Sequence, residues 1–374
     1  DRAPTEEIDP AALILDDAWQ NPNNRSRSGA TSNPQLVTDS SGVIHILWLD
    51  EVEGYGYTVN SGDQWDEPEA GEFPFYTRRY YPDLRDSEPT PRFRPILAAD
   101  GRGQLYAFWI DDNGILYTSS VTAGEFLNYD SWTPRTALTD GILSINATTG
   151  ADGSIHLVYI RQEDSATQPA GVYYQKLNAV GTWSNPILLF ASRYMRSIPA
   201  DETNLQIVTQ GSGNVYVAWD DTLREQVYLA GSSTNGASWD FVQDIDRRTP
   251  ADAENAVGPS NIIIGVSGEQ LHLSWVGGHE EGQPCSQYVA MSADGGTTWT
   301  LRDTLTSLPS CFTSARFFAA DGTLFLLGSI ITEGAERGTV NATSYLLAWD
   351  GGRWSSPQIQ DPVSYTHLTL PTMQ

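Results

Sequence analysis

Positive charge is scarce in this sequence. Lysine and arginine together number 21 against 47 aspartates and glutamates, and Lys176 is the single lysine. The formal net charge of −26 at pH 7 argues against nucleic acid or an anionic membrane surface as a partner, because both repel a protein of the same sign. The sequence also lacks the run of about 20 apolar residues that a transmembrane helix requires, so we predict no membrane insertion.

Cysteine and histidine are rare as well. The two cysteines, Cys285 and Cys311, allow one disulfide, which an oxidising compartment would favour; two buried free thiols are the alternative. Among the five histidines, His45, His156 and His272 lie within apolar runs and are predicted to be packed structural residues. No metal-ligand spacing occurs, so we predict no cofactor, with calcium held by acid-rich loops as the alternative.

What the sequence does repeat is a polar turn that ends in tryptophan. The fullest copy is SADGGTTWT, from Ser292 to Thr300. Short polar side chains can accept hydrogen bonds from the amides of such a turn, and the indole then packs against neighbouring structure. Copies recur roughly 50 to 60 residues apart, and their tryptophans are Trp65, Trp132, Trp183, Trp239, Trp299 and Trp354.

Strand-like segments flank every copy. Each tryptophan turn is preceded by a Gly-containing turn and an apolar, β-branched run, as in TDSSGVIHILWLD and TQGSGNVYVAWDD. A shorter strand precedes each Gly-containing turn. With another strand on each side of the tryptophan turn, each unit has four strands. Six such units without a helix predict an all-β protein, a six-bladed β-propeller with four-stranded antiparallel blades. We predict a lead-in segment over 1–30, the propeller over 31–362 and a tail, non-native in character, over 363–374.

The turn motif Ser-x-Asp-x-Gly-x-x-Trp at Ser292–Trp299 resembles the Asp box, or BNR repeat, of the sialidase-like propeller superfamily. The repeat pattern covers roughly residues 30 to 360. The resemblance implies carbohydrate as the ligand class and strand-opening arginines that grip it, with Arg94, Arg196 and Arg316 as counterparts. Phe93-Arg94-Pro95-Ile96 resembles the family's first arginine motif with its last two residues transposed. Sialidases use a tyrosine as nucleophile, and no tyrosine stands at the matching position in this sequence, the start of the first strand of the sixth unit.

Alternation of strand direction predicts where a site would lie. Loops from the second to the third strand share a face with the connections between blades, opposite the tryptophan turns. Acids open these loops, and Asp50, Asp111 and Glu280 are the candidate catalytic residues. The longest inter-blade insertion adds Arg79 and Tyr80, which with the three strand-opening arginines are the candidate substrate-binding residues.

Three functions fit this pattern. The first is an exo-glycosidase of sialidase-like type, with its site at the channel mouth. The second is a noncatalytic propeller that binds a glycan or another small acidic ligand, and the third is a cell-surface interaction module. All three predict a secreted or cell-surface protein; none predicts an oligomeric state. The sequence leaves open whether the protein is an enzyme.

Overall fold

The computed structural model describes residues 25–27, 31–50, 54–62, 64–75, 94–165, 167–246, 256–280, 282–299, 301–320, 322–333 and 340–360. These residues form six four-stranded antiparallel sheets in chain order, each with its strands in sequence order. The predicted fold class is therefore confirmed: the chain is a six-bladed β-propeller. Each sheet is a blade, numbered here in chain order.

The first three blades contain the following strands: β1 (Thr31–Thr38), β2 (Ile44–Asp50), β3 (Gly54–Asn60), β4 (Glu69–Ala70), β5 (Ile96–Ala99), β6 (Gln104–Ile110), β7 (Leu116–Thr122), β8 (Thr136–Thr139), β9 (Ile142–Thr149), β10 (Ile155–Arg161), β11 (Gly171–Leu177) and β12 (Ile187–Ala191). Blade 4 contains β13 (Leu205–Gln210), β14 (Asn214–Asp221), β15 (Gln226–Ser232) and β16 (Phe241–Asp246).

Blade 5 carries an addition, because β17 (Ala256–Val257) and β20 (His279–Glu280) pair as a separate two-stranded sheet. The other strands of blades 5 and 6 are β18 (Ser260–Ser267), β19 (Gln270–Val276), β21 (Gln287–Ser292), β22 (Leu301–Thr304), β23 (Ser314–Ala320), β24 (Thr323–Glu333), β25 (Val340–Ala348) and β26 (Gln358–Gln360). The helices described are short 3₁₀ turns at Ala123–Glu125, Tyr129–Ser131, Arg193–Arg196, Ala200–Glu202 and Thr222–Arg224. None of them has the length and apolar character needed to cross a membrane.

The described residues divide into two compact units. The N-terminal unit contains those up to residue 217 and the segment 232–242, and the C-terminal unit contains the segment 218–231 and those from residue 243 onward. Blades 1 to 3 belong to the N-terminal unit, blades 5 and 6 belong to the C-terminal unit, and blade 4 contributes strands to both.

In blades 3 and 5 the second strand is the most buried. All seven residues of β10 are buried, and so are six of the seven residues of β19. Side chains of a strand alternate between its two faces, so burial of consecutive residues requires cover on both sides. The apolar and β-branched composition of these runs meets that requirement, which is why the strands could be predicted.

All six turn tryptophans lie between the third and fourth strands of their blades. In blade 5, Ser292 Oγ accepts a hydrogen bond from Gly296 N (2.8 Å), and Asp294 Oδ1 accepts one from Thr298 N (2.8 Å). Hydrogen bonds from Thr298 and Ser292 lower the pKa of Asp294 to about 2. The turns are thus closed by their own side chains, and their identity as Asp boxes stays a prediction.

Gly236, in the tryptophan turn of blade 4, is required by packing. Its φ is +79°, and a Cβ there would lie 1.9 Å from Tyr174 Oη of blade 3. Tyr174 also contacts Trp239 edge-on, at 5.0 Å between ring centroids. A side chain at this turn position would separate the turn from β11.

The buried histidines belong to hydrogen-bonded networks in two blades. His45 Nδ1 lies 2.6 Å from Tyr57 Oη, and its Nε2 lies 3.2 Å from Asp39 Oδ2. His156 Nδ1 lies 2.7 Å from Tyr174 Oη. These contacts satisfy polar atoms inside stacked sheets, so the predicted structural role of both histidines is confirmed.

His272 has a different environment. It is buried and packs edge-on against Trp349 and Trp354, with ring centroids 5.0 and 5.9 Å away. Its Nε2 has no hydrogen-bond partner in the part of the chain that the structure describes. Burial lowers the pKa of His272 to about 4, which keeps the ring neutral near neutral pH. Its structural role is confirmed too, through ring packing.

The two cysteines form a disulfide. Cys285 and Cys311 have Cα atoms 5.9 Å apart, and the bond joins the loop before β21 to the segment before β23. It therefore links blades 5 and 6 within the C-terminal unit. The disulfide prediction is confirmed, and the free-thiol alternative is wrong.

We predict that replacing His272→Phe makes the protein less sensitive to acid. The folded pKa of about 4 lies below the ordinary value of 6.5, so the unfolded chain binds the proton first. Stability that His272 provides above pH 6.5 is therefore lost as the pH falls toward 4, by up to about 3 kcal/mol. Phe325 occupies the corresponding place in β24, so the fold accepts phenylalanine there.

Urea denaturation of wild type and variant at intervals from pH 7 to pH 4 measures the effect. The difference in the free energy of unfolding between the two proteins should shift in favour of the variant as the pH falls. Parallel pH profiles would contradict the prediction, whatever the stability of the variant at pH 7.

Candidate functional site

Arg161 organises the loop edge of blade 3. It is the last residue of β10, and its side chain is only 6% exposed. Its Nε donates to the Glu163 carbonyl (3.0 Å), and its Nη1 donates to Asp140 Oδ1 (2.8 Å) and Thr139 Oγ1 (3.4 Å). One guanidinium thus holds together the segment that enters blade 3 and the loop between β10 and β11.

Gly141 allows these two segments to approach each other. It has φ of +65°, and a Cβ there would lie 2.7 Å from Glu163 Cβ. The backbone adds a hydrogen bond from Gln162 N to the Gly141 carbonyl (2.8 Å). The loop after Arg161 is therefore fixed at its base before it reaches the surface.

Asp164 connects this loop to the next inter-blade segment. Its Oδ1 accepts a hydrogen bond from Ala170 N (2.6 Å), which closes the loop, and its Oδ2 lies 2.9 Å from Arg196 Nη2. The two side chains are 38% and 50% exposed, so the ion pair lies at the surface and is accessible to a ligand. A carboxylate beside a guanidinium offers acceptors and donors side by side.

Arg196 projects from the 3₁₀ helix Arg193–Arg196, which lies between blades 3 and 4. Ser192 begins the helix by accepting a hydrogen bond from Tyr194 N (3.3 Å), and Met195 anchors it through a fully buried side chain. This anchoring leaves Arg193 and Tyr194 at the surface. The Arg193 guanidinium carbon lies 5.1 Å from the centroid of the Tyr194 ring, which is 38% exposed.

Two tyrosines lie beneath the loop. Tyr159 of β10 and Tyr173 of β11 stack with ring centroids 5.6 Å apart, and Tyr173 Oη donates to the Pro169 carbonyl (2.7 Å). Burial raises the pKa of both phenols, so both remain neutral. We call the set of Arg161, Asp164, Arg193, Tyr194 and Arg196 the blade 3 cluster.

The candidate catalytic residues occupy different settings. Asp50 is buried as the last residue of β2. Asp111 follows β6, and its Oδ1 accepts hydrogen bonds from Asn113 N (3.0 Å) and Ile115 N (2.8 Å), so this carboxylate closes the turn between β6 and β7. Glu280 is exposed in the short strand β20 of the C-terminal unit. Their catalytic role stays a prediction.

The candidate binding arginines are similarly dispersed. Arg94 is exposed just before β5, and Arg316 is exposed in β23 opposite Leu327. Arg196 is the member of the set that contacts a loop acid, Asp164. Arg79 and Tyr80 lie outside the described residues. Arg196 thus lies beside a loop acid, and a substrate-binding role for all five residues stays a prediction.

Arg193, Tyr194 and Asp140 were not predicted as site residues. Arg193 and Tyr194 lie in a segment that reads only as a connection between blades. The available signal was the run Arg-Tyr-Met-Arg between a capping serine and a proline, at Ser192–Pro199. As for metals, no group of three or more His, Cys, Asp or Glu suited to an ion occurs within the described ranges.

Solved structures with low sequence identity match this chain. The SapL1 lectin in complex with alpha methyl fucoside is 13% identical, with 89% of this chain and 98% of that chain covered and a TM-score of 0.46. The Hadza microbial sialidase Hz136 is 14% identical, with coverages of 90% and 59% and a TM-score of 0.35. An exo-1,5-alpha-L-arabinanase from a bovine ruminal metagenomic library is 12% identical, with coverages of 91% and 99% and a TM-score of 0.40. No protein-family model and no curated protein matches the sequence.

We predict that Arg161→Met lowers the free energy of unfolding by about 2 kcal/mol, because charge-assisted hydrogen bonds to two loop segments are lost. The matched control is Arg135→Met. Arg135 is exposed, and its guanidinium carbon lies 4.9 Å from the centroid of the Tyr117 ring, so this change should cost less than about 0.5 kcal/mol. Urea denaturation measures both. Equal losses in the two variants would show that Arg161 does not hold the loop.

Proposed function

We propose that this propeller binds carbohydrate at the blade 3 cluster. The observation that carries the proposal is the combination, at the surface, of Tyr194, Arg193, Arg196 and the Asp164 carboxylate. Buried Met195 and Arg161 hold the two segments that carry them. Sugars present apolar C–H faces that stack on aromatic rings, and hydroxyl groups that need donors and acceptors together. The cluster offers both kinds of contact.

Each residue has a role in this proposal. The Tyr194 ring, which is 38% exposed, supplies the aromatic surface on which a sugar would stack, and Arg193 beside it supplies further hydrogen-bond donors. Arg196 donates hydrogen bonds to hydroxyl or carboxylate oxygens, and Asp164 accepts from hydroxyls while it orients Arg196. Arg161 does not contact the ligand in this proposal; it fixes the loop that carries Asp164.

Binding without cleavage is the form of the proposal that this cluster favours. Most glycoside hydrolases use a protonated carboxyl group as acid and a second carboxylate as base or nucleophile. Both carboxyl oxygens of Asp164 already accept, Oδ1 from the Ala170 amide and Oδ2 from the Arg196 guanidinium, so neither is placed to donate a proton to a ligand. A carboxylate held in this way serves recognition better than proton donation.

An exo-glycosidase remains the second candidate function. The observation in its favour is the position of Asp50, a buried acid at the end of a second strand, where the sequence predicts a catalytic carboxyl group. Asp111 and Glu280 are the other acids of this hypothesis. We further propose that the protein is secreted or displayed at a cell surface, since the Cys285–Cys311 disulfide suits an oxidising compartment.

The binding experiment uses isothermal titration calorimetry with α-methyl fucoside, a methyl sialoside and an arabinan trisaccharide, preceded by a broad glycan array. We expect at least one sugar to bind, and Arg196→Ala and Tyr194→Ala each to raise its Kd about tenfold or more. Arg135→Ala is the control, because it removes an arginine stacked on tyrosine at another place in the same unit.

The outcomes separate the alternatives. Wild-type binding that neither Arg196→Ala nor Tyr194→Ala weakens would contradict the site, and a folded protein that binds no glycan on the array would contradict the function. Turnover of fluorogenic glycosides that Asp50→Asn abolishes would establish the hydrolase instead. Asp111→Asn and Glu280→Gln in the same assay would then identify its other acids.

A further inference from the structure

The tripeptide Asn-Ala-Thr occurs twice among the described residues, at Asn146–Thr148 and at Asn341–Thr343. Both copies match the acceptor sequence for N-linked glycosylation, in which an enzyme joins an oligosaccharide to the asparagine amide. Since the two tripeptides are identical, only their structural settings can distinguish them.

Asn146 is half-buried in the N-terminal unit, where neighbouring strands hold its side chain. It lies in β9 opposite Val158, and its Nδ2 donates a hydrogen bond to the Leu205 carbonyl of β13 (2.9 Å). Its neighbours Ile145 and Ala147 pack against a hydrophobic cluster that includes Tyr159. A glycan on this amide would occupy the space between β9 and β13, where Asn146 Nδ2 now lies against the Leu205 carbonyl. It would therefore be at odds with the packing of the two strands.

Asn341 lies on a projection. The pairing of β24 with β25 continues to Glu333 and Val340, whereas the described pairing with β23 ends at Ser329 and that with β26 ends at Ser344. The segments 330–333 and 340–343 consequently form a two-stranded ribbon that extends beyond the four-stranded part of blade 6.

The side chain of Asn341 is exposed on this ribbon, as is that of Thr332, its cross-strand partner. Within the part of the chain that the structure describes, the side-chain amide of Asn341 makes no hydrogen bond. An oligosaccharide attached there breaks no side-chain hydrogen bond of Asn341 among the residues that the structure describes. The ribbon also belongs to the C-terminal unit, whose disulfide suits the compartment in which such glycans are added.

We propose that Asn341 is an acceptor for N-linked glycosylation and that Asn146 is not occupied in the folded protein. The donor is a lipid-diphosphate-linked oligosaccharide. Asn341 Nδ2 forms a bond to the anomeric carbon, the bond from that carbon to the diphosphate oxygen breaks, and the lipid diphosphate leaves with the electron pair. Nδ2 gives up one proton to a base of the transferase. The proposal is independent of carbohydrate binding at the blade 3 cluster.

The test is secretion of the full chain from cultured insect cells, with Asn24→Gln in every protein because Asn24 is a third acceptor sequence outside the described residues. Peptide mass spectrometry after endoglycosidase treatment in ¹⁸O water then reports occupancy at each asparagine. We expect a glycan at Asn341 that both Asn341→Gln and Thr343→Ala eliminate, and no change from Asn146→Gln. A secreted protein that is bare at Asn341, or glycosylated at Asn146, would overturn the proposal.

A second measurement does not depend on secretion. Asn341→Cys and Asn146→Cys are prepared separately from bacteria with the native disulfide formed, and each is treated with a maleimide-linked polyethylene glycol under native conditions. We expect Cys at the first position to react at least about tenfold faster, because local opening must precede reaction at the second. Equal rates would remove the structural basis of the proposal.

Discussion

Burial of both faces of the second strand is the constraint on which the rest of this structure depends. In β10 every residue is buried, so any polar side chain there must find a partner inside the sheets. His156 meets this demand through Tyr174, as His45 does through Tyr57 in blade 1. His272 meets it by staying neutral among aromatic rings. In a second strand that is buried on both faces, side chains that can contact a ligand are therefore confined to its ends and to the loops that follow.

Aspartates in the turns and loops of the blades serve two different purposes. At the end with the tryptophan turns, Asp294 accepts a backbone amide from its own turn, and the carboxylate is fully used in closing that turn. At the other end, Asp164 Oδ1 accepts a hydrogen bond from Ala170 N of its own loop, and its Oδ2 pairs with Arg196 of a different segment. The turn closed by Asp294 is local structure. The contact between Asp164 and Arg196, in contrast, forms only when both segments are in place.

This difference explains what the sequence could predict. Repeated tryptophans, turn glycines and apolar runs report local requirements, so the four strands of each blade and the structural histidines follow from them. The loop acids carry no such information: Asp111 and Asp164 both follow a buried second strand, yet Asp111 closes a turn and Asp164 pairs with an arginine 32 positions away in the numbering. Tyr194 is positioned by the burial of Met195, and the amino-acid sequence around Met195 does not indicate this tertiary contact.

The excess of acids in this chain sets Arg193 of the blade 3 cluster apart from arginines that pair with an aspartate. With 47 acids against 21 lysines and arginines, a chain of this kind has abundant carboxylates to neutralise each guanidinium. Arg102, Arg161, Arg196 and Arg353 all lie beside an aspartate. Arg193 instead contacts the exposed ring and hydroxyl of Tyr194. A guanidinium that is stacked on an aromatic ring keeps N–H groups that can still donate, and Arg193 lies in the same 3₁₀ helix as Arg196, which pairs with Asp164.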